Sequence, residues 1–393
     1  MPLIKNLFIK KPVDYSGSLG QIAWQKFRRN RLSMAALWFI VLALFIAVAG
    51  YWLTPDKSHF ANRQYLELSA QKPGFEVQVL KLRKNRKIER SGFLQTMFFG
   101  RESKYRYIPF HKMWFDEGKL QVELYTGDKP NNGPVESYSP ADLVYALTPD
   151  IDPTRNDHTI SYTDLKGNIQ TANLEELKER IKNEHTEKRK FLLGTDRFGR
   201  DLLSRLLIGT RVSLSVGFIS VFISLVIGIT LGAIAGFLRG WVDELIVWFI
   251  NVVWSIPTLL LVIAITFALG KGFWQIFIAV GMTMWVEVAR VVRGQVISIR
   301  HILPNVMGAV IVISAANFAS AILIEAGLSF LGIGVQPPMP SWGTMIKEHY
   351  AYIILDSAYL AILPGLAIML MVLAFMLVGN GLRDALDVKA VKT

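Results

Sequence analysis

The apolar residues of this chain are grouped into long runs that are separated by polar segments. Crossing about 30 Å of hydrocarbon takes about 20 helical residues. Because lipid offers no partners to free backbone N–H and C=O groups, each run of that length is predicted to be a membrane-spanning helix. The runs do not alternate apolar and polar positions as the strands of a membrane barrel do. The predicted spans are 32–53, 212–238, 245–270, 273–299, 304–334 and about 358–380.

Two of the predicted spans contain charged residues. Glu287, Arg290 and Arg293 lie in the second half of the fourth span, which is the weakest span by composition. Long charged side chains can reach water from the end of a span, so these residues are predicted to mark its cytoplasmic end. The fifth span contains one acid, Glu325. A lone acid within a membrane costs free energy unless it is paired or faces water.

Proline and glycine positions predict where the spans bend and where they pack. Pro257 and Pro364 lie inside the third and sixth spans. Because proline lacks a backbone N–H, each is predicted to bend its helix, either as a static kink or as a hinge. Gly228, Gly232 and Gly236 recur along one face of the second span, which predicts a close approach of another helix.

The distribution of Lys and Arg predicts the orientation of the spans. A basic segment precedes the first span, as is typical of a cytoplasmic flank, so both termini are predicted to be cytoplasmic. Within this segment, 18–30 place apolar residues on one face, as in a helix that lies flat in the membrane interface. The alternative is a charged flank without that role. The basic residues are Lys5, Lys10, Lys11, Lys26, Arg28, Arg29 and Arg31.

The polar segment 54–190, between the first two spans, is long enough to fold as a small domain. Its apolar residues alternate with polar ones at 75–79 and at 120–124, which predicts two half-buried strands. Lys166-Gly167-Asn168 suits a hairpin turn, and Asn173 suits the cap of a following helix. The segment is therefore predicted to be an α+β insert, outside the cell membrane.

Composition supports a membrane protein and removes several other classes. Of the 393 residues, 52% are hydrophobic and 19% are charged, against about 25% charged in a typical soluble domain. The formal net charge of +12 comes without a zinc-binding or RNA-binding pattern, so nucleic acid is not a predicted partner. There are no cysteines, which excludes disulfides and thiolate metal sites.

Several short motifs lie between and within the spans. Each is weak alone, but together they occur in one order and at consistent places in the topology. They are LGTDRFGRDLLSR at 193–205, GFLRGWVD at 236–243, ARVVRGQ at 289–295, HILPN at 301–305, LSFLGIGVQPPMPSWG at 328–343 and GLRDALD at 381–387. This set closely resembles the C-type permease subunits of bacterial dipeptide, oligopeptide and nickel ABC importers. The resemblance is loose over 18–53 and close over 191–388, and it does not include the insert.

The resemblance implies an all-α polytopic membrane protein with six transmembrane helices, the type I ABC importer permease fold, and an α+β extracytoplasmic insert between helices 1 and 2. The predicted organisation is a cytoplasmic N-terminus with an interfacial helix at 1–31, helix 1 at 32–53, the insert at 54–190, the permease domain with helices 2–6 at 191–388, and a cytoplasmic tail at 389–393.

The same resemblance implies the function and the partners. The chain would form, with a second homologous permease subunit, a path for short peptides across the bacterial inner membrane. An extracytoplasmic binding protein would deliver the substrate, and two ATPase subunits would bind ATP and Mg. The chain itself has no G-x-x-x-x-G-K-[ST] run and is not predicted to be an enzyme or to hold a cofactor or metal. Nickel chelates or another small solute are the alternative substrates.

One departure from the family pattern lies between two of the motifs. In the family, the ARxVRGQ motif is followed by a stretch that carries the coupling helix, which docks into the ATPase. Here Arg300 leads directly to His301. Either the protein lacks the coupling helix, which would uncouple transport from ATP hydrolysis, or the sequence omits a stretch of the gene product. Both flanks keep the family pattern, which favours omission.

Polar residues within the spans are the candidates for the translocation path. These are Asn251, Asn317 and Glu325. The competing interpretation is structural, because a buried acid can form hydrogen bonds within the bundle and Asn often joins neighbouring helices. The sequence leaves both open.

Two further sets of residues are candidates for contacts with partner subunits. One set borders the cytoplasm and is predicted to face the ATPase: Arg290, Arg293 and Arg300. The other lies at the outer mouth, where a binding protein would dock: Asp196, Arg200 and Asp201. A purely structural cap on the second span is an equal alternative for the outer set.

Two other functional classes fit the sequence less well. A secondary transporter would show acidic or histidine relays within its spans or an internal repeat, and the sequence shows neither. A membrane-anchored enzyme would need catalytic residues in the insert. Its candidates are His111, His158 and His185, and their spacing matches no metal or triad pattern.

Overall fold

The computed structural model describes residues 19–89, 91–127, 129–149, 151–270, 272–298 and 302–386, excluding the side chains of 19, 298 and 302–305. The helices are α1 Leu19–Arg29, α2 Arg31–Ala49, α3 Phe93–Phe99, α4 Pro140–Val144, α5 Leu174–Glu184, α6 Leu202–Leu238, α7 Gly240–Ser255, α8 Thr258–Leu269, α9 Phe273–Ser298, α10 Ile302–Leu331, α11 Trp342–His349 and α12 Tyr359–Leu386. The strands are β1 Phe75–Arg83, β2 Tyr105–Asp116, β3 Lys119–Leu124, β4 Val135–Tyr138, β5 Thr154–Asn156, β6 Thr159–Thr163, β7 Ile169–Asn173 and β8 Thr186–Phe191.

The chain divides into two compact units, which are described separately. The membrane unit comprises the chain up to Val48, Gly209–Tyr350 and the chain from Ala361. The insert unit comprises Ala49–Ile208 and Ala351–Leu360. The insert unit is thus wider than the predicted segment 54–190.

The predicted membrane-spanning architecture is confirmed within the described residues. Five helices are long and apolar enough to cross a membrane, and a bent pair of helices brings the number to six if it counts as one span. The first span, Arg31–Trp52, joins α2 to a short 3₁₀ turn at Gly50–Trp52. The others are α6, the pair α7 and α8, α9, Val306–Leu331 within α10, and α12.

The third predicted span is not one kinked helix but two helices that meet at 94°. α7 ends at Ser255, and Ile256 adopts an extended conformation with φ −90° and ψ 127°. Proline disfavours the helical conformation of the residue before it and provides no N–H, so Pro257 ends α7 and allows α8 to begin in a new direction. Pro364, in contrast, lies within the continuous helix α12.

α9, the weakest span by composition, lies in the interior of the membrane unit. Its residues Ile276, Phe277, Ala279 and Val280 are fully buried. Polar residues are tolerated within a membrane when they face the interior of a bundle instead of lipid. Its low apolarity is therefore explained by its position among other helices.

The glycine ladder of α6 packs directly against α9, as its spacing predicts. A Cβ atom added at Gly228 would lie 2.7 Å from the carbonyl oxygen of Trp285. One added at Gly232 would lie 2.4 Å from the carbonyl oxygen of Ala289. Both distances are shorter than van der Waals contact, so the two backbones can approach this closely only because these positions have no side chain.

The described residues of the insert unit form two antiparallel sheets, which confirms the α+β prediction. The larger sheet has five strands in the order β4-β3-β2-β1-β8, and the smaller has the order β5-β6-β7. In the larger sheet β1 pairs with β2 in a register that places Leu80 opposite Ile108. The predicted turn at 166–168 joins β6 to β7.

α5 covers one face of these sheets. Its buried residues Leu174, Leu177 and Ile181 pack with Leu80 and Leu120 in the core of the insert unit. The helix begins at the predicted cap, where the Asn173 side chain accepts hydrogen bonds from the backbone N–H groups of Glu175 at 2.9 Å and Glu176 at 3.4 Å. This cap fixes where β7 ends and α5 begins.

Candidate functional site

A cavity of about 310 Å³ lies in the membrane unit beside the break between α7 and α8. Residues of α7, α8, α9 and α10 line it. Most of them are apolar, and the polar ones are Thr258, Thr283, Glu287, Asn317 and Ser320. An apolar cavity with a few polar groups is the usual form of a small-molecule binding site. Ile256, at the break itself, and Thr258, at the start of α8, both belong to this lining.

Asn317 is the buried polar residue of this cavity whose hydrogen bonds are incomplete. It is 2% exposed, and within the described part of the chain its Nδ2 has no hydrogen-bond partner. Thr283 differs, because its hydroxyl donates to the Val280 carbonyl at 2.8 Å. Leaving a buried donor unpaired costs about 1–3 kcal/mol. A molecule in the cavity that offers an acceptor would remove this cost.

Two contacts hold α7 against α9, and one of them involves a residue of the cavity lining. The Arg293 guanidinium forms a two-pronged ion pair with the Asp243 carboxylate, with Nε–Oδ1 at 2.5 Å and Nη2–Oδ2 at 2.6 Å. The Arg290 guanidinium lies 3.6 Å from the centre of the Trp254 ring, and Trp254 itself lines the cavity. Planar guanidinium groups suit both carboxylates and aromatic faces. The arginines therefore fix the broken span relative to α9.

Glu325 lies outside the lining of this cavity and is fully buried. The Ser329 hydroxyl donates to Glu325 Oε1 at 2.7 Å, and the Ser213 hydroxyl of α6 donates to Oε2 at 3.4 Å. Ser329 Oγ in turn accepts a hydrogen bond from the backbone N–H of Val335 at 3.1 Å. These contacts join α6, α10 and the loop after α10, which supports the structural interpretation of this acid.

The predicted outer-mouth residues Asp196 and Arg200 form a buried pair in the insert unit. Asp196 is fully buried and Arg200 is 2% exposed, and Arg200 Nε lies 2.5 Å from Asp196 Oδ2. Asp196 Oδ1 also accepts from the backbone N–H groups of Phe198 at 2.8 Å and Arg200 at 3.0 Å. The carboxylate thus holds the turn that precedes α6.

Asp201 caps the N-terminus of α6. Its Oδ2 accepts from the backbone N–H of Ser204 at 2.8 Å and also from the Ser204 hydroxyl. Burial raises the pKa of the Asp201 carboxyl, and the two bonds from Ser204 act in the opposite direction. The same Ser204 hydroxyl accepts from the backbone N–H of Asp56 at 2.9 Å, which ties this cap to the segment after the first span.

Comparison with known proteins gives two matching sequence families. The N-terminal transmembrane domain of oligopeptide transport permease C matches residues 18–73. The inner membrane component of binding-protein-dependent transport systems matches two segments, 228–300 and 297–392. The second match therefore divides at the Arg300–His301 junction, where the sequence departs from the family pattern.

The curated relatives agree with these families. The glutathione transport system permease protein GsiD of Pectobacterium atrosepticum is 40% identical over 218 residues, which cover 50% of this chain and 72% of the relative. GsiD of Escherichia coli O157:H7 is 40% identical over 217 residues, with 71% of its length covered. This chain belongs to the C-type permeases of the dipeptide, oligopeptide and nickel ABC importers. GsiD of Shigella flexneri serotype 5b is also similar, with 41% identity over 217 residues. These relatives are transport permeases and not enzymes.

The structure of the permease separates the candidate path residues that the sequence grouped together. Asn317 lines the cavity, Glu325 accepts hydrogen bonds from Ser213 and Ser329, and Asn251 is exposed on α7 outside the cavity lining. Arg290 and Arg293 contact α7, and Arg300 lies outside the described residues. The role of the first set in the translocation path and the contact of the arginines with the ATPase stay predictions. The role of Asp196, Arg200 and Asp201 at the outer mouth also stays a prediction.

Sequence reasoning missed several residues around the cavity of the permease. Trp254, Thr258, Thr283 and Ser320 line it without belonging to any motif used in the prediction. The one local signal was Pro257, which was interpreted as a bend. Had the prediction placed a helix break at this proline instead of a bend, it would have indicated that the residues on both sides surround a space.

Proposed function

We propose that this permease imports short peptides and that the cavity beside the α7–α8 break contacts the peptide during translocation. The observation that carries the proposal is the buried Asn317 amide, which lines a cavity of about 310 Å³ and whose Nδ2 lacks a partner among the described residues. Peptide carbonyl oxygens are the acceptors that this donor lacks. Small-molecule sites have volumes of about 300–1,000 Å³, so the cavity suits part of a short peptide.

The relatives support a peptide-like substrate. They are named as glutathione transport permeases, and glutathione is itself a short peptide with two amide carbonyls. Nickel chelates are less well supported, because the polar groups that described residues contribute to the cavity include one carboxylate, Glu287, and no histidine. Soft or imidazole ligands are the ones that nickel-binding sites commonly use.

The proposal includes the partners of the family. A second permease subunit would complete the path, a binding protein would deliver the peptide on the extracytoplasmic side, and two ATPases would bind ATP and Mg on the cytoplasmic side. The absence of a G-x-x-x-x-G-K-[ST] run supports placing ATP in partner subunits. The basic segment before the first span supports cytoplasmic termini.

We also propose that the functional gene product contains a further stretch between Arg300 and His301 that includes the coupling helix. The division of the family match at 297–300 supports this proposal. In the described residues α9 ends at Ser298 and α10 begins at Ile302, on either side of that junction. Without the missing stretch, ATP hydrolysis would not be transmitted to the spans.

Co-purification and intact mass test the assembly. The tagged chain would be extracted in mild detergent, and stoichiometric partners would be identified by mass spectrometry. Two P-loop ATPases and a related permease are expected, together with an intact mass above the 44.2 kDa of this sequence. A chain that purifies alone at 44.2 kDa would contradict both the ATP-driven function and the additional stretch.

Transport by the reconstituted complex tests the substrate. Proteoliposomes would be supplied with the binding protein, ATP and labelled dipeptide, tripeptide or glutathione. Uptake that unlabelled peptides reduce by competition is expected. Uptake of a nickel chelate that peptides do not reduce would contradict the peptide assignment while leaving the importer intact.

A further inference from the structure

The insert unit carries an apolar helix that its own core does not use. In α3, Phe93 is 67% exposed, Leu94 is 63% exposed and Phe99 is 65% exposed. The buried core of the unit lies between its sheets and α5, and α3 contributes no buried residue to it. A cluster of exposed aromatic side chains on a surface marks a contact with another apolar phase or molecule.

The position of α3 indicates what that phase is. α3 packs against the 3₁₀ turn Gly50–Trp52, which is the end of the first membrane span. The contact is extended by two hydrogen bonds, from Arg101 N to the Lys57 carbonyl at 2.7 Å and between His59 Nδ1 and the Phe99 carbonyl at 2.8 Å. A helix attached to the end of a span lies at the depth where hydrocarbon meets water.

The neighbouring residues of the span have the composition of a membrane interface. Trp52 is 59% exposed and Leu53 is 39% exposed, and both directly precede the polar segment that contacts α3. Trp side chains are enriched where the headgroups meet the hydrocarbon, and Phe and Leu form the apolar faces of helices that lie in this plane. The exposed side chains of α3 therefore continue an apolar surface that the first span begins.

A basic cleft of about 600 Å³ lies at both ends of α3. Ser91, which precedes the helix, and Arg101, which follows it, both line the cleft, and Pro55 and Lys57 extend its lining to the end of the first span. The basic residues of its lining outnumber the acidic ones. The basic residues are Lys57, Arg63, Arg101, Lys104 and Arg189, and the acidic residues are Glu89 and Glu102.

Some of these charges are already paired within the insert unit. Glu102 accepts from Lys84 and Arg86, Arg63 lies 3.7 Å from Asp56, and Arg189 lies 2.6 Å from Glu187. The three remaining cations have no ion-pair partner among the residues that the structure describes. They are Lys57, Arg101 and Lys104.

We propose that α3 and the basic cleft form a membrane-surface site, in which α3 inserts its aromatic side chains at the end of the first span and Lys57, Arg101 and Lys104 bind the headgroup of an anionic phospholipid. Ammonium and guanidinium groups bind phosphate oxygens through charge-assisted hydrogen bonds, and the hydroxyl of Ser91 adds a neutral donor. Basic residues beside a membrane surface also attract anionic lipid through its surface potential. The site would hold the insert unit at the bilayer surface whatever the transported solute.

Lipid-depth fluorescence tests the insertion of α3. Because the chain has no cysteine, Leu94→Cys creates a single labelling position for an environment-sensitive fluorophore. Quenching by lipids that carry a doxyl group near the headgroup is expected in nanodiscs. Lys166→Cys, at the tip of the β6–β7 turn, is the matched control and is expected to stay unquenched. Equal quenching at both positions, or none at Leu94→Cys, would overturn the insertion.

Lipid selectivity tests the basic cleft. The full-length permease would be placed in nanodiscs that contain phosphatidylglycerol and phosphatidylcholine, and the lipids that stay bound would be counted by native mass spectrometry. The variant with Lys57→Gln, Arg101→Gln and Lys104→Gln is expected to lose preference for phosphatidylglycerol by about fivefold for each charge removed. The control variant removes equal charge at exposed positions of the same unit, with Lys119→Gln, Lys166→Gln and Lys182→Gln.

Two outcomes would assign the surface to another occupant. Equal preference for phosphatidylglycerol in the two triple variants would contradict the proposed headgroup site. Displacement of the lipid by inorganic phosphate would indicate that the cleft binds a soluble anion instead. A Leu94→Cys label that is protected only after the second permease or the binding protein is added would make α3 a protein interface. Peptide uptake by the assembled importer is measured separately, so failure of this site and failure of the proposed function are distinguishable.

Discussion

Asn317 and Glu325 lie on the same helix, about 12 Å apart along its axis, and both are buried in the membrane unit. Their surroundings differ. Glu325 accepts hydrogen bonds from Ser213 and Ser329 and lies in packed protein. Asn317 lines a cavity, and its Nδ2 has no partner within the described residues.

This difference shows how two polar residues of one span can serve different purposes. A buried polar group with all its partners joins helices and specifies their packing. A buried polar group that retains a free donor next to a cavity is suited to a molecule that enters from outside. The comparison predicts that substitutions at Glu325 damage the fold and that substitutions at Asn317 damage transport.

The largest effect is expected from Glu325→Ala. The substitution strands the Ser213 and Ser329 hydroxyls in the interior, and each stranded buried group costs about 1–3 kcal/mol. The yield of folded permease and its midpoint of thermal unfolding in detergent should both fall. Glu325→Gln keeps an acceptor and should recover most of the loss. A fully stable Glu325→Ala variant with reduced peptide uptake would instead place Glu325 in the path. It would contradict the distinction between a structural Glu325 and a substrate-facing Asn317.

Asn317→Leu should reduce peptide uptake about tenfold, since the lost hydrogen bond to substrate contributes about 1.5 kcal/mol. Thermal stability should stay close to that of the unchanged protein, because Nδ2 has no partner to lose among the described residues. Thr230→Val, a similar loss of polarity on the exposed face of α6, is the control for uptake. Asn251→Leu is a second comparison. A larger loss of peptide uptake in this variant than in Asn317→Leu would indicate that the path follows the exposed face of α7.

A smaller effect is expected from Asp243→Asn. The ion pair with Arg293 is partly exposed, at 17% for Asp243 and 30% for Arg293, and such pairs contribute about 0.2–1 kcal/mol. Uptake should fall by up to about fivefold, because the broken span is held less firmly beside the cavity. The double exchange Asp243→Arg with Arg293→Asp should restore part of it. Unchanged uptake in both variants would show that this contact does not position the cavity.

The smallest effect extends the comparison to the insert unit, where His185 is buried and its Nδ1 lies 3.0 Å from the Lys81 carbonyl. Burial lowers the pKa of His185 below its ordinary value of 6.5, so the folded protein favours the neutral ring. Its contribution to stability is complete above pH 6.5 and decreases as the pH falls through that value toward the folded-state pKa. The protection factors of the β1 and β8 amides, which correct exchange rates for the pH dependence of unprotected amides, should therefore fall on acidification.

His185→Phe should remove much of this pH dependence, because the phenyl ring cannot take up a proton. The matched control is His158→Phe, at an exposed position of the insert unit. Protection factors that fall equally in the unchanged protein and both variants would mean that other groups set the acid sensitivity.

The architecture could be predicted from the sequence wherever its cause is local. Apolar runs predicted the spans, the glycine ladder predicted the close packing of α6, and Asn173 predicted the start of α5. The bend at Pro257 was underestimated, because a proline ends a helix locally but the direction of the next helix depends on what it packs against. The order β4-β3-β2-β1-β8 could not be predicted, because β8 joins β1 across most of the insert unit.

The candidate site was predictable only in part. Motifs such as LGTDRFGRDLLSR indicated the family, and the curated relatives confirmed it. They did not indicate the cavity, because its lining comes from four helices and includes residues such as Trp254 and Ser320 that carry no motif. The buried state of Asp196 and Arg200 was also hidden, since charged residues in a glycine-containing turn are usually exposed.

By itself, the sequence determined that this protein is a polytopic membrane permease with a folded insert, because apolar runs, strand alternation, caps and turn motifs are properties of neighbouring residues. Only the tertiary structure decided which polar residues are structural and which face a cavity. The physical reason is that hydrogen-bond partners can be far apart in the chain: Ser213 donates to Glu325 from 112 residues away. Whether a buried polar group finds such a partner depends on packing, and the same residue type can therefore join helices at one position and remain available to a ligand at another.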